Sequence, residues 1–360
     1  MTRVFVSDCE GPISKNDNAY ELTSHFIPDG NKLFTVISRY DDVLADILKK
    51  PHYKAGDTLK LVLPFLKAYD VTDQKMREFS AQHLLLISNA KDTLDHVRRI
   101  APAFIVSTSY EHYIQALCRF IDFPYKNTYC TKLRIDKYSL TSTEKKKLKE
   151  TAREIAGMHT IEIPYGARLL NDLSAEDQKT VQRLDEIFWI EISCTDCGRI
   201  FSEVNPVGGE EKAEAVKDVA QKLHTDLADT MYVGDSITDE EAFKLVRKHE
   251  GLAVSFNGNQ YAIRNAEVAI LSENSLVTAV IADVFIKFGK QQTLDLVQNW
   301  SREALKKYSI SQALLDRFFR LHPVALPKVK IITNENMEAL MKESGEFRKK
   351  VRGEAIGKLG

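Results

Sequence analysis

The sequence has few cysteines and almost no net charge. Five cysteines among 360 residues, an odd number, favour reduced thiols over a disulfide framework. Cys194 and Cys197 have CxxC spacing, but no second pair lies at a spacing that would complete a zinc site. Fifty basic residues against 51 acidic residues leave a net charge of -1. This balance excludes a global attraction to nucleic acid or to an anionic membrane, so we expect neither as a partner.

Long hydrophobic segments are also absent from the sequence. The longest apolar stretch, around residues 276–286, contains Asp283 and is much shorter than the roughly 20 residues that a membrane helix needs. Near the N-terminus only a short apolar run precedes Ser7 and Asp8, which is too little for a secretory hydrophobic region. We therefore expect a cytoplasmic protein without a membrane partner, and the sequence leaves its oligomeric state open.

Short apolar segments that end in polar residues predict the strands of a parallel sheet. Helical patterns follow or separate them, as in folds whose helices cross over between parallel strands. The predicted strands are residues 4–6, 104–106, 231–233 and 252–254. Ligands of such sheets gather at the carboxyl ends of the strands, so the polar residues at those ends are the candidates for function.

The chain is too long for one small core, and its longer inter-strand segments predict lids or substrate-binding units. The apolar run at 187–192 is predicted to be a strand within one of these segments. We predict a core of residues 1–13, 85–135 and 200–275, a helical cap at 14–84, a second cap insert at 136–199 and a helical C-terminal extension at 276–360.

Asp8 directly follows the first predicted strand, and Glu10 lies two residues further along. A carboxylate can attack a phosphate ester and form an aspartyl-phosphate, which splits one difficult displacement into two easier ones. Glu10 could protonate the leaving oxygen and later deprotonate the attacking water. The alternative is structural, because Asp8 could simply cap the turn before Gly11 and Pro12.

Asp235 and Asp239 follow the third predicted strand in the segment GDSITD. Two carboxylates four residues apart at a strand end suit Mg²⁺, a hard cation that usually keeps water and takes one or two protein carboxylates. Asp235 is the predicted ligand, and Asp239 would support the metal shell or hold Lys212. The alternative for Asp239 is capping of the helix that follows.

Ser107 and Lys212 complete the candidate set. Ser107 ends the second predicted strand, where its hydroxyl and the start of the next helix could bind a phosphate oxygen; the alternative is an ordinary N-cap. Lys212 is predicted in the first turn of a helix, where the helix dipole disfavours a cation unless phosphate or carboxylates face it. Its alternative is a solvated lysine on a charged helix.

The four segments together resemble the haloacid dehalogenase-like (HAD) superfamily, and the chain looks nearest to its phosphoserine-phosphatase-like members. The motifs read FVSDCEGP, FIVSTS, GGEEK and YVGDSITDEEAF, in the order typical of the superfamily. A weaker resemblance is to archaeal HAD-like proteins described as a subunit of an energy-converting hydrogenase. The resemblance implies a Rossmann-like α/β fold with a helical cap. It also implies catalytic residues Asp8, Glu10, Ser107 and Lys212, and a Mg²⁺ site of Asp8, Glu10 through its backbone carbonyl, Asp235 and Asp239.

Glu10 departs from the pattern of the superfamily, in which most phosphatases carry aspartate at this position. The extra methylene moves the carboxyl group by one bond length, about 1.5 Å. Glutamate retains the acid and base chemistry, but slower activation of water could favour transfer of the phosphoryl group to another hydroxyl. Phosphotransferase activity is therefore an alternative to hydrolysis.

We predict from these observations a magnesium-dependent phosphatase that acts on a small phosphorylated metabolite beneath two covers. Arg39, Tyr40 and Tyr110 are candidate substrate contacts. The competing hypothesis is a non-catalytic or regulatory subunit of a larger complex that uses a phosphatase fold as a scaffold. Catalysis is favoured because a retired site has no physical reason to retain all of the candidate side chains.

Overall fold

The computed structural model describes residues 2–164 and 166–357, with a seven-stranded sheet at its centre. The strands are β1 (Val4–Ser7), β2 (Ala103–Tyr110), β3 (Thr128–Thr131), β4 (Thr230–Gly234), β5 (Leu252–Phe256), β6 (Val268–Leu271) and β7 (Lys328–Ile331). They lie in the order β3-β2-β1-β4-β5-β6-β7, and β1 to β6 run parallel while β7 is antiparallel to β6. The predicted parallel α/β core is confirmed.

Helices flank the sheet and build the long segments between strands. The α-helices are α1 (Asn18–Phe26), α2 (Gly30–Asp42), α3 (Thr58–Ala68), α4 (Asp73–Gln82), α5 (Ala90–Ile100), α6 (Glu111–Ile121), α7 (Ser142–Ala156), α8 (Ala175–Glu186), α9 (Ile200–Glu203), α10 (Glu210–Lys222), α11 (Glu240–Lys248), α12 (Gln260–Asn265), α13 (Leu276–Phe288), α14 (Lys290–Gln298), α15 (Arg302–Lys307), α16 (Gln312–Leu321), α17 (Met337–Arg352) and α18 (Glu354–Gly357). π-Helical turns at Val43–Ile47 and Ile187–Ile192 continue α2 and α8.

The strand order places β1 and β4 side by side at the centre of the sheet. Val4 lies opposite Thr230 and Ser7 lies opposite Val233. The chain builds outward from this pair in both directions, with β2 and β3 on one side and β5 and β6 on the other. Parallel sheets bind ligands at such a switch point, beyond the carboxyl ends of the strands. The loops that follow β1 and β4 are therefore adjacent.

Helices cover both faces of the sheet, as the burial of a parallel sheet requires. Side chains alternate along β1, so that Phe5 packs in the cluster that contains α5, α6 and α13. Val4 and Val6 point to the opposite face and pack in the cluster that contains α10 and α11. These two cores hold the strand ends in place from both sides.

A separate hydrophobic core lies in the segments that were predicted to be caps. It joins buried side chains of α1, α2, α3 and α4 to those of α7, α8 and residues 187–204. Tyr40 of α2 and Phe188 stack with their ring centroids 5.8 Å apart and their planes 17° apart. The two inserts, which are distant in the sequence, therefore share one core and pack as a single cover.

The prediction of a strand at residues 187–192 is wrong, because this run is a π-helical turn that continues α8. Leu184, Ile187 and Phe188 are fully buried, a spacing of three and four residues that belongs to one face of a helix. A short apolar run is compatible with a buried strand or a buried helix, and only the packing against α2 decides between them here.

The prediction of a helical C-terminal extension needs a correction, because the extension contains β7 as well as helices. Val329 is buried while Lys328 and Lys330 are exposed, which is the alternation of a strand with one covered face. Lysines on an edge strand also discourage pairing with another chain. The strand returns the extension to the sheet beside β6 and runs from the carboxyl end of β6 to its amino end. Among the described residues, no helix combines the length and apolar character needed to cross a membrane.

Candidate active site

Asp8 and Lys212 meet in the buried space at the end of β1. The backbone N–H of Asp8 donates to the carbonyl of Val233, which ties the residue to β4 at 2.8 Å. Lys212, in the first turn of α10, donates from Nζ to Asp8 Oδ2 at 2.7 Å. Burial raises the pKa of Asp8, while the Lys212 ammonium opposes that shift and favours the carboxylate form. A cation at this helix start is therefore explained by the carboxylate that it faces.

Lys212 is shared between two carboxylates, because it also donates to Asp239 Oδ1 at 2.7 Å. Tyr232 donates to the same oxygen at 2.6 Å, and the backbone N–H groups of Asp235 and Ser236 donate to Oδ2 at 2.9 and 3.0 Å. Burial would raise the pKa of Asp239, but Lys212 and these hydrogen bonds outweigh burial and lower it. Asp239 thus holds Lys212 and also caps the turn after β4.

Asp235 follows β4 and completes a cluster of three buried carboxylates with Asp8 and Asp239. One oxygen from each of the three lies within 4.8 Å of the others, which makes this a candidate metal site among the described residues. Carboxylate oxygens are the ligands that Mg²⁺ prefers, and the three buried carboxylates offer such oxygens from one small region. The donor set therefore fits Mg²⁺.

Gly11 permits the loop after β1 to approach Asp235. Its φ is +104°, and a Cβ at this position would lie 2.1 Å from Asp235 Oδ2. A residue with a side chain would collide with the carboxylate and would also be strained in this backbone region. The glycine of the FVSDCEGP segment is therefore required for the closeness of the two loops.

Glu10 lines the same cavity as Asp8 and Asp235. Its Oε1 accepts a hydrogen bond of 2.8 Å from the backbone N–H of Asn18, at the start of α1. Burial raises the pKa of Glu10 to about 8, with a further contribution from the Asp17 carboxylate. A carboxyl group of this kind can hold a proton near neutral pH, which is what a general acid needs.

Ser107 does not occupy the helix start that the sequence suggested. β2 extends to Tyr110 with a register shift after Ser107, and α6 begins only at Glu111. Ser107 is fully buried inside the strand, and its Oγ accepts from the backbone N–H of Ser109 at 3.2 Å. The N-cap alternative is therefore wrong. Thr108, the next residue along the strand, lines the cavity instead, and no pattern in the sequence had pointed to it.

The cavity at this site is small and lies between the sheet and the cover. It has a volume of about 90 Å³. The strand-end loops contribute Asp8, Glu10, Asp17, Thr108, Asp235, Ser236, Ile237 and Thr238 to its lining. The cover contributes Phe34, Ser38, Asp41, Asp42, Gly56, Thr58 and Leu59. The C-terminal extension contributes Arg348 and Arg352. All three parts of the chain therefore contribute to one site.

Two of the three candidate substrate contacts point elsewhere. Tyr40 donates to Asp185 at 2.5 Å and Tyr110 donates to the carbonyl of Leu59 at 2.5 Å, so both tyrosines are structural hydrogen-bond donors outside the cavity lining. Arg39 pairs with the buried Asp42, which does line the cavity, at 3.0 Å. The large cover therefore contributes to the site mainly through small and acidic side chains.

Arg348 and Arg352 of α17 are site residues that the sequence reasoning missed. Both donate from Nη1 to Oδ2 of Asp235, and the contact of Arg352 measures 3.1 Å. Arg352 also donates to the carbonyls of Lys15 and Asn16, at 3.1 and 2.5 Å. The only signal in the sequence was the basic character of the last residues, which does not distinguish a solvated tail from a part of the site.

The chain is similar to several solved structures. The structure of gene product AF1437 from Archaeoglobus fulgidus aligns with a TM-score of 0.80 at 23% identity, covering 100% of this chain and 99% of that chain. This similarity shows a shared fold along the whole length. Apo phosphoserine phosphatase aligns at a TM-score of 0.46 and 12% identity, with coverage of 81% and 100%. A phospho-aspartyl intermediate analogue of phosphoserine phosphatase aligns at 0.45 and 12%, with coverage of 76% and 95%.

Sequence comparison identifies the family directly. No curated protein matches the chain significantly in sequence. A family model described as haloacid dehalogenase-like hydrolase matches residues 86–283, which is more than half of the chain. The match includes β2 with Ser107, α10 with Lys212, and β4 with Asp235 and Asp239. The resemblance seen in the motifs is therefore confirmed: this chain belongs to the haloacid dehalogenase-like hydrolase family.

Proposed function

We propose that the chain is a Mg²⁺-dependent phosphohydrolase that acts on a small phosphorylated metabolite. The observation that carries this proposal is the position of Asp8. Its carboxylate accepts from Lys212 at 2.7 Å and lies within 4.8 Å of ligand oxygens of Asp235 and Asp239, at the floor of a covered cavity. A nucleophile, a cation and a metal-binding set are the parts that phosphoryl transfer requires.

Asp8 and Asp235 would hold the metal ion directly, together with the backbone carbonyl of Glu10. Asp239 would act mainly through other groups, because its two oxygens already accept from Lys212, Tyr232 and two backbone N–H groups. A bound divalent cation would neutralise the negative charge on the phosphoryl oxygens. Lys212 holds the carboxylates of Asp8 and Asp239 in fixed positions around the candidate metal site.

Asp8 attacks the phosphorus atom, and the bond from phosphorus to the ester oxygen breaks. Glu10 in its protonated form gives its proton to the leaving oxygen, so the alcohol departs and an aspartyl-phosphate remains on Asp8. Glu10, now a carboxylate, then removes a proton from a water molecule that attacks the phosphorus. Inorganic phosphate leaves, and both carboxyl groups return to their starting states. The pKa of about 8 for Glu10 supports the first of these proton transfers at neutral pH.

The cover limits the size of the substrate. The cavity has a volume of only about 90 Å³, and its walls from α2 and the loop at residues 54–58 exclude a polymer. A covered site also keeps bulk water away from the reacting atoms. A small phosphorylated metabolite is therefore the substrate that we propose. The setting that we propose is the cytoplasm.

The proposal is tested by phosphate release from p-nitrophenyl phosphate and from a panel of phosphorylated metabolites, with Mg²⁺ and with EDTA. We expect Mg²⁺-dependent turnover by the wild type and its loss in Asp8→Asn, because the amide cannot form the aspartyl-phosphate. Asp226→Asn is the matched control, since Asp226 is exposed and lies outside the site. Acid-quenched wild-type enzyme should carry a phosphoryl group on Asp8 by mass spectrometry. Equal rates in wild type and Asp8→Asn, or no turnover of any compound, would refute it.

A further inference from the structure

The last part of the C-terminal extension, from β7 onward, joins the active site to the sheet by a series of contacts. β7 adds to the sheet beside β6, and α17 then packs through Leu340 on a cluster with Ile263 and Leu271. Ser344, one turn further along, donates from Oγ to the carbonyl of Gly258 at 2.6 Å. These contacts seat the last turns of α17 over the loops that follow β4 and β5. Arg348 and Arg352 are four residues apart and therefore project from one face of the helix.

Both arginines are buried although each carries a positive charge. Arg348 is 3% exposed, and the side chain of Arg352 is 5% exposed. Burial of a guanidinium group costs free energy unless anions or carbonyl oxygens satisfy it. Arg352 is satisfied by the carbonyls of Lys15 and Asn16 and by Asp235, so the loop after β1 and the loop after β4 both hold it.

The two arginines offset the acidic lining of the cavity, which would otherwise disfavour the entry of an anion. Six of the described lining residues carry a carboxyl group: Asp8, Glu10, Asp17, Asp41, Asp42 and Asp235. Among the described lining residues, the positive charges come from Arg348 and Arg352, because Lys212 lies beneath the cavity floor and is engaged by Asp8 and Asp239. Without the two arginines, the described lining would offer carboxyl groups and no cationic side chain to a phosphate ester, and only the metal ion would attract it.

We propose that Arg348 and Arg352 are phosphate-binding residues, whose guanidinium groups donate to the phosphoryl oxygens of the substrate. This inference rests on the proposed function and extends it to a part of the chain beyond residues 86–283, the range of the family match. A guanidinium group offers five N–H donors in a planar fork that suits phosphate. Both contacts with Asp235 use one nitrogen, Nη1, of each arginine and the same oxygen, Oδ2. That oxygen is the counter-ion that holds the pair in place when no phosphate is bound.

The test is calorimetric binding of inorganic phosphate to the full chain at saturating Mg²⁺. The variants are Arg348→Met, Arg352→Met and Arg348→Lys, with Lys350→Met as the matched control. Lys350 is on the same helix, but its side chain is 66% exposed and pairs with Glu273 at the surface. We expect phosphate affinity to fall at least tenfold in both methionine variants, to recover in part in Arg348→Lys, and to be unchanged in Lys350→Met. With p-nitrophenyl phosphate, KM should rise by a similar factor and kcat should change less.

Binding of Mn²⁺ to each variant, followed by electron paramagnetic resonance, separates phosphate binding from an effect on the metal site. Phosphate affinity within twofold of wild type in both methionine variants overturns the proposal, and so does a loss of phosphate affinity that only parallels a loss of Mn²⁺ affinity. Absence of phosphate binding by the wild type also overturns it. If Arg348→Met does not fold, Arg352→Met and Arg348→Lys decide the question.

The outcomes for the inference and for the proposed function can be told apart. Phosphate binding that depends on the arginines, without turnover of any phosphate ester, would refute the phosphohydrolase and leave the binding role intact. Turnover that depends on Asp8, with unchanged KM and phosphate affinity in both methionine variants, would refute the binding role of the arginines. It would leave the phosphohydrolase proposal intact.

Discussion

Lys212 Nζ lies 2.7 Å from Asp8 Oδ2, although 204 positions separate the two residues in the chain. The ammonium group is fully buried and is also 2.7 Å from Asp239. It therefore links the loop after β1 to the loop after β4 through one side chain at the start of α10. Such an arrangement makes Lys212 as important for the fold of the site as for the charge within it.

Lys212→Met should destabilise the protein strongly. The methionine side chain fills much of the same space, but it leaves the carboxylates of Asp8 and Asp239 buried without their cation. Removal of one partner of a buried ion pair costs about 3–5 kcal/mol. We expect a loss of this size in urea denaturation. The control is Lys217→Met on the same helix, whose exposed pair with Glu214 is worth at most about 1 kcal/mol. Similar losses in the two variants would contradict the prediction.

Gly56→Ala should weaken catalysis by displacing the cover. A Cβ on Gly56 would lie 2.9 Å from Thr108 Cγ2 and 3.2 Å from Thr238 Cγ2, so the loop would have to move away from the strand ends. Displacement on the order of 1 Å can reduce catalysis by about 100-fold, and we expect kcat/KM to fall about 10- to 100-fold.

Gly166→Ala is the matched control for that variant. Gly166 has a φ of +82°, close to the +95° of Gly56, but a Cβ there would meet nothing within 4 Å. The alanine therefore carries the same backbone strain without the collision. If Gly166→Ala lowers kcat/KM as much as Gly56→Ala does, contact between cover and core is not the cause.

Glu10→Gln should lower kcat more for substrates with poor leaving groups than for substrates with good ones. Glutamine cannot donate or accept the proton, and loss of general acid catalysis typically costs about 10²- to 10⁴-fold in rate. We expect kcat to fall by this factor with an alkyl phosphate and by less with p-nitrophenyl phosphate, whose leaving group needs little protonation. Steady-state kinetics with both esters checks the prediction, and Glu78→Gln on the surface of α4 should change neither. Equal losses on the two esters would argue against an acid role.

His112 should make the protein less stable in mild acid. Its Nε2 is 2.7 Å from Asp73 Oδ1, but burial lowers the pKa of His112 below the usual value despite that carboxylate. The folded state therefore prefers the neutral imidazole, and protonation favours the unfolded chain. The contribution of His112 is complete above the unfolded pKa of about 6.5 and falls as the pH drops toward the folded value, by at most about 1.4 kcal/mol per pH unit.

His112→Gln should flatten the dependence of the unfolding free energy on pH below about 6.5. Urea denaturation at a series of pH values measures this slope for wild type and variant. The exposed His249, at the end of α11, is the comparison, and His249→Gln should keep the slope of the wild type. A wild-type slope in His112→Gln would show that other groups titrate in this range.

The residues that sequence reasoning located best are those at the ends of buried parallel strands. Asp8 and Asp235 each follow a short apolar run. Because the strands of a parallel sheet run in the same direction, such positions lie at one edge of the sheet. Ser107 was harder to place, because its strand continues through a bulge to Tyr110 and the helix begins later than the local pattern indicated. Boundaries depend on packing, so they are less visible in sequence than the elements themselves.

Arg348 and Arg352 could not have been assigned to the site from sequence. A basic pair on an amphipathic helix has the same appearance whether it faces water or a buried carboxylate. Only the pairing of β7 with β6 and the packing of α17 on α12 bring the pair to Asp235. The apolar run at 187–192 is a similar case, since its helical form depends on contact with α2.

The sequence by itself determined the local elements: short buried strands, the polar residues that end them and the chemistry of those residues. It also indicated the family, because the motifs stand in a defined order and those with Ser107, Lys212 and Asp235 lie within the matched range of residues 86–283. Tertiary structure decided which groups share the cavity, since the order of strands and the docking of the extension join residues from both ends of the chain. The physical reason is that helical and strand periodicity express local burial, whereas the pairing of distant charges depends on how whole elements pack.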